Sequence, residues 1–227
     1  MKTILTVIVI IYSISFSQIA VAQNSDTIKI QGDKSNLVLI KSKWGWGFGL
    51  GINQFNYENN MKKWLGNHGG PNFQGMITYK EWFILLGFRP WTVNPQKKLS
   101  FGVDTLDEFA DLNPIKTEMA IGYKVYVLPD LFLTPYFGYV NSSFTVVNED
   151  ELKKKYSISS ASGLTIGGYV NYVFLYSVLD EYSIRLGYNT NIIDFQNVHP
   201  SLGKNYWAWE IGLIATGVFS SIKEIPN

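Results

Sequence analysis

Between Trp44 and Ile52 large apolar residues alternate with glycine, the run reading Trp-Gly-Trp-Gly-Phe-Gly-Leu-Gly-Ile. A period of two is the signature of a strand and fits no helix face. Trp44, Trp46, Phe48, Leu50 and Ile52 fall on one side, and Gly45, Gly47, Gly49, Gly51 and Asn53 fall on the other. Bulk of this kind faces outward only when the outside is apolar, and the simplest apolar outside is a lipid bilayer.

The alternation returns along the chain. It predicts strands over Phe73 to Lys80, Trp82 to Phe88, Glu118 to Val127, Leu131 to Tyr139, Leu164 to Leu175, Tyr182 to Phe195 and Asn205 to Ser220, besides the first over Trp44 to Phe55. The outward sets contain Ile121, Leu133, Val170, Leu186 and Leu213. Pro135 lacks an N–H and interrupts the ladder, so a bulge or local break is expected there. Lys80-Glu81, Leu128-Pro129-Asp130 and Leu179-Asp180-Glu181 make short turns, and 56–71, 90–114, 148–156 and 196–204 make longer loops. Eight strands with alternating long and short connections predict an all-β fold, a membrane-spanning up-and-down antiparallel β-barrel. Its long loops would face the cell exterior and both termini the periplasm. Strands of about ten tilted residues are long enough to cross an outer membrane.

The ends of the chain add an export route. Lys2, the apolar run Ile4 to Phe16 and Ala20-Val21-Ala22 form a signal-peptide pattern, placing a cleaved signal at 1–22. A polar periplasmic leader with two short β-like runs, Thr27 to Ile30 and Leu37 to Ile40, is expected over 23–43, the barrel over 44–220 and a C-terminal tail over 221–227. No stretch offers the roughly 18 uninterrupted apolar residues of a membrane helix. The localisation that follows is the bacterial outer membrane, crossed by strands.

Composition narrows the chemistry. The 227 residues contain no cysteine, which excludes disulfides and thiol catalysis. Lys and Arg number 19 against 18 Asp and Glu, giving no electrostatic case for nucleic acid. The glycines of 45–51 lack the offsets of a dinucleotide fingerprint, since Leu50 occupies the third position, and they read instead as room for side chains from facing strands. The 2 histidines, His68 and His199, fall in expected loops and supply no metal-ligand spacing, so no metal and no cofactor is expected. The run Asn148 to Lys155 segregates acidic from basic residues and reads as a solvated loop tip.

The inward parity collects Lys80, Arg89, Glu118, Lys124, Arg185 and Glu210. Counted from the periplasmic end of each strand, Arg89, Glu118 and Glu210 share a level, with Lys80, Lys124 and Arg185 nearer the mouth. A narrow barrel does not leave such charges unpaired. The expectation is that Arg89 bridges Glu118, Glu210 or both and closes the lumen.

The pattern over residues 44–220 resembles the small eight-stranded outer-membrane barrels of the OmpA/OmpX kind, on strand pattern and not on a specific motif. That family usually ends its last strand on an aromatic residue, and the nearest match is Phe219, followed by Ser220 to Asn227. The resemblance implies a monomer whose partners are outer-membrane lipid, lipopolysaccharide and the barrel-assembly machinery, with a non-enzymatic structural or surface-interaction role. Two alternatives stay open. His199-Pro200-Ser201 with Glu210 loosely resembles the His-x-Ser and glutamate of lipid A deacylases of the PagL type, where histidine takes the serine proton and the carboxylate orients the imidazole. Ser201 is followed by Leu202, which departs from that family's pattern. The other alternative is a narrow channel or carrier for small apolar solutes.

Overall fold

A computed structural model describes residues 27–32, 35–90, 96, 99–101, 104–106, 111–147, 155–177 and 179–225. The expected signal, 1–22, and most of the charged run in the third loop lie outside them. In chain order the elements are β1 (Thr27–Gly32), β2 (Ser35–Tyr57), α1 (Asn59–Leu65), β3 (His68–Tyr79) and β4 (Trp82–Pro90). There follow β5 (Leu99–Phe101), β6 (Asp104–Leu106), β7 (Asp111–Tyr123), β8 (Val125–Leu128) and β9 (Leu131–Val147). The chain finishes with β10 (Lys155–Tyr176), β11 (Asp180–Asp194), a single 3-10 turn (Phe195–Asn197) and β12 (Lys204–Ile225).

Eight of these strands form one antiparallel cylinder in the order β2, β12, β11, β10, β9, β7, β4, β3, with β3 returning to β2. The first and last of the eight close the wall, with Gly51 opposite Gly212 and Leu50 opposite Leu213. That seam explains two of the glycines. A Cβ on Gly51 would lie 2.5 Å from the Ile211 carbonyl oxygen, and one on Gly212 would lie 2.6 Å from that of Leu50. Gly47 and Gly187 instead make room for inward side chains: a Cβ on Gly47 would meet Met76, and one on Gly187 would meet the Tyr169 ring and Glu210 Cγ.

The faces follow the alternation. Trp44, Trp46, Phe48, Leu50, Ile121, Val170, Leu186 and Leu213 are all exposed, within a belt that also holds Ile77, Leu86, Phe137 and Ile166. Ring pairs border the belt. Trp44 and Tyr79 lie 4.8 Å apart, and Trp82 and Tyr123 5.0 Å apart, at the short-turn end. Tyr188 and Trp207 lie 5.8 Å apart toward the long-loop end. An apolar belt between aromatic girdles, on a closed barrel with no free edge in its wall, is the surface of an outer-membrane β-barrel. Among the described residues no helix is long and apolar enough to cross a membrane.

The Lys80-Glu81 hairpin is the expected two-residue turn, with Tyr79 opposite Trp82. Lys80 takes φ 54°, a left-handed value that such turns demand and that glycine or asparagine usually supplies. Lys80 is therefore exposed on the turn and not inside the barrel.

Pro135 breaks the sheet on one side only. The ladder to β10 continues through Pro135 opposite Gly168, but on the other side β7 stops at Tyr123 and β8 begins at Val125. Pro135 has no N–H to give to β7, while on the opposite side Lys124 N donates to the Glu81 carbonyl at 2.7 Å and continues the ladder to β4. The fourth strand expected over Glu118 to Val127 is thus two strands, and Val125 and Val127 are only half-exposed. Leu133, opposite Val125, is half-buried and not fully lipid-facing.

Several strands run past their expected ends. Ser35 to Lys43, expected in a leader, is already β2, and β1 pairs alongside it with Ile28 opposite Leu39. Ser220 to Ile225, expected mostly as a tail, pairs with Lys41 to Asn36. The β-like runs Thr27 to Ile30 and Leu37 to Ile40 are strands as their pattern suggests, but their pairing into the wall is not legible, because the backbone ladder continues where the apolar alternation stops. At the other end β7 starts at Asp111, β9 reaches Val147 and β10 starts at Lys155. The loop expected over 56–71 holds α1 and the first residues of β3. The spacing of Met61, Trp64 and Leu65, all buried, is that of an amphipathic helix face.

Candidate functional site

Side chains fill the interior in layers. Toward the short-turn end Met76, Phe83, Leu85, Ala120 and Ile214 cluster with Tyr136 and Tyr169. At the long-loop end Phe55, Tyr57, Trp64, Phe144, Phe195 and Tyr206 belong to a second apolar cluster. Between the two lies a polar layer.

Arg89 on β4 is the centre of that layer, 1% exposed. Its Nη1 donates to Glu118 Oε2 on β7, and its Nη2 donates to Glu210 Oε2 on β12 at 3.1 Å. Asn53, with its amide turned to satisfy both neighbours, accepts from Arg89 Nε at 3.0 Å and donates to the Gly70 carbonyl at 3.1 Å. Counting depth from the turns puts Arg89, Glu118 and Glu210 at one level, and the structure brings all three into contact. Glu210 is fully engaged: Oε2 also accepts from Asn72 Nδ2 at 2.8 Å, and Oε1 accepts from Gln74 Nε2 at 3.0 Å.

Arg185 joins the same network, whereas counting along its strand puts it near the periplasmic mouth. Its Nη1 donates to Gln74 Oε1 at 2.5 Å, its Nε donates to Asn171 Oδ1 at 2.9 Å, and the guanidinium lies 4.1 Å from the centre of the Tyr169 ring. A guanidinium reaches several acceptors at once from a fixed plane, which suits it to a crowded lumen. Lys124 does sit at the mouth, its Nζ 2.7 Å from Glu181 Oε2.

The sequence reading misses Lys116, fully buried on β7. Its ammonium donates to Asn191 Oδ1 at 3.1 Å and lies 5.5 Å and 5.2 Å from the Phe55 and Tyr206 ring centres. It therefore joins the polar layer to the aromatic cluster above through cation–π contacts. Extending the parity of Glu118 by one more inward position would have found it. Gln74 and Asn72 are missed because an amide carries no charge to count, although both hold the carboxylate of Glu210.

His199 and Ser201 lie apart from this network, in the loop before β12. His199 Nδ1 is 2.7 Å from Ser201 Oγ and accepts from the Ser201 backbone N–H at 3.2 Å. Asn60 Nδ2 of α1 donates to the Ser201 carbonyl at 2.8 Å, tying the helix to this loop. Glu210, the third member of the hydrolase reading, has both oxygens committed to Arg89, Asn72 and Gln74. His68 is no solvated loop residue, since it opens β3 and its ring centre lies 5.6 Å from Phe55 and 5.3 Å from Tyr57. No cluster of metal-binding side chains forms among the described residues.

No protein-family model and no curated protein sequence matches the chain. Solved structures of similar shape include the attachment invasion locus protein Ail of Yersinia pestis, with 13% identity over 76% of this chain and 97% of Ail at a TM-score of 0.48. Neisserial surface protein A has 10% identity over 78% of this chain and 98% of its own, at a TM-score of 0.48. The outer membrane protein OprG of Pseudomonas aeruginosa has 11% identity over 82% of this chain and 98% of its own, at a TM-score of 0.41. By its closed wall, apolar belt and filled interior, the chain is in architecture a small eight-stranded outer-membrane β-barrel.

Proposed function

We propose that the protein is a non-enzymatic outer-membrane barrel with a closed lumen, acting through its surface and its long-loop end and not as a conduit. The observation that carries this reading is the Arg89, Glu118 and Glu210 bridge, packed between two apolar layers. Ions do not cross a narrow barrel whose bore is occupied by paired charges and rings, because each would have to shed its water against groups already bonded to one another. Long loops on such barrels face the cell exterior, which puts α1 and the His199 loop on the cell surface. The test is conductance of the purified protein in a planar bilayer. The reading expects no steady current, and a large steady current overturns it.

The contact between His199 and Ser201 favours a second reading, an ester hydrolase on the cell surface. Glu210, the carboxylate named for orienting the imidazole, is held inside the lumen and does not serve it. Incubation with lipid A separates the two readings. Fatty acid released by the native protein and abolished by Ser201→Ala would establish the hydrolase, and no release leaves the structural role.

A further inference from the structure

On β7, β9 and β10 the outer wall changes character within one step. Met119, Tyr139 and Leu164 stand side by side in the register and are 57%, 52% and 58% exposed, a row of the apolar belt. The next outward positions toward the long loops are Thr117, Asn141 and Ser162, again side by side, with Thr117 exposed and the other two half-exposed. Beyond them come Ile115, Ser143 and Ser160. Neither of these two rows holds a charge. The charges of β7 point the other way, with Lys116 and Glu118 buried in the lumen. Asp194 of β11, next to the Ile193 that lies opposite Gly163, is paired with Lys204 at 3.1 Å. The Ser143 hydroxyl donates to the Ile115 carbonyl at 3.4 Å, whereas among the described residues no hydrogen bond engages the side chains of Thr117, Asn141 and Ser162.

We propose that this stretch of wall is a docking face for the uncharged sugar headgroup of an outer-leaflet glycolipid, held by the Thr117 and Ser162 hydroxyls and the Asn141 amide. Height places it. Two residues along a strand tilted by about 40° rise about 5 Å, and the polar zone on each side of a bilayer is about 5–8 Å deep. The Thr117 row therefore lies among headgroups, and the Ser143 row at their outer limit. Chemistry then selects the headgroup. A phosphate calls for Lys or Arg, and a wall that meets only water ordinarily carries charges of both signs. Hydroxyls and an amide offer donors and acceptors together without charge, which matches the hydroxyls of a sugar. Tyr139, one row lower, puts an aromatic ring at the level where a sugar joins its acyl chains. The face rests on the surface role proposed above and makes no use of the lumen.

The experiment is NMR of the native protein in phosphatidylcholine bicelles, reading the Asn141 side-chain amide while a second lipid is added. Digalactosyl diacylglycerol is expected to shift that signal, and phosphatidylglycerol at the same concentration to leave it in place. Thr117→Val combined with Ser162→Ala removes two hydroxyls from outward positions and keeps Asn141 as the reporter; this variant is expected to lose most of the shift. Equal shifts with both lipids, or a shift with phosphatidylglycerol alone, overturn the sugar as the group recognised. A free galactoside that reproduces the shift in solution overturns the membrane lipid as its source. No shift with either lipid, or an unchanged shift in the variant, overturns the face itself. Conductance reads the closed lumen separately, so failure here leaves that reading standing.

Discussion

One cylinder is built by opposite rules at its two ends. At mid-belt the outside is apolar, with Leu50, Leu186 and Leu213 exposed, and the inside carries a polar layer, with Arg89, Glu118, Arg185 and Glu210 buried. Toward the long loops the inside is apolar, with Phe55, Ile193, Phe144 and Tyr206 buried, while Ser160 and Asn205 face out. The same strands serve both regimes without changing parity: β11 carries Arg185, Asn189, Asn191 and then Ile193 inward. Neither region is defined by its residues alone. The surrounding solvent is lipid for one and water for the other, and each places its apolar groups away from water and its charges where partners exist.

The sharpest test of the contrast is Arg89→Ala. It leaves Glu118 and Glu210 buried without their cation, and a loss of about 3–5 kcal/mol is expected from denaturant unfolding in lipid vesicles. Adding Glu118→Gln and Glu210→Gln to Arg89→Ala removes the stranded charge, and this triple variant is expected to recover part of that loss. No loss for the single variant would mean that the layer is solvated.

Second in size is Leu186→Arg at mid-belt, expected to cost about 2–4 kcal/mol in the same assay. Ser160→Arg on the outer wall near the long loops should change little. Equal effects at the two sites would erase the distinction between a lipid-facing and a water-facing wall.

Ile193→Val trims one methylene from the apolar cluster at the loop end and should cost about 0.5–1.5 kcal/mol. A neutral result would mean that the cluster is loosely packed.

The smallest effect belongs to the rim. The Gln196 backbone N–H and then Lys204 hold the Asp194 carboxyl below the usual carboxylate range. A lowered folded-state pKa means stability that is present above the unfolded pKa and lost as pH falls through the folded one. Asp194 lies at the solvent-accessible rim, where screening leaves an ion pair little net worth, so the native protein and Asp194→Asn should unfold at nearly the same denaturant concentration at neutral pH. Any gap between them should close as the pH drops below the carboxylate range.

The sequence shows most clearly what the bilayer dictates. Trp44 to Ile52 can be oriented because glycine and tryptophan leave no doubt about sides, and counting depth from the turns ranks Arg89, Glu118 and Glu210 together. Less legible are the places where lipid no longer imposes a pattern. Ser35 to Lys43 and Ser220 to Ile225 alternate weakly, yet they pair through the backbone. Lys116 lies where an expected loop runs into a strand, and Phe55 and Tyr57 sit at inward positions that mid-belt residues mark as small or polar. Arg185 is misplaced because strand tilt shifts levels around a barrel, so a count made along one strand does not transfer to its neighbours.

The seam between β2 and β12 also sets the order in which the molecule can form. Gly51 meets Gly212 across nearly the whole length of the barrel sequence, so this pairing closes the longest loop in the wall. Contacts this distant in sequence carry the loop-closure cost early and return it late, which makes folding slow for topological reasons. Until closure, β2 and β12 each present a long unpaired edge, and β2 carries the glycine and aromatic run that makes such an edge sticky. Time spent with those edges open is the interval in which this chain is most exposed to mispairing.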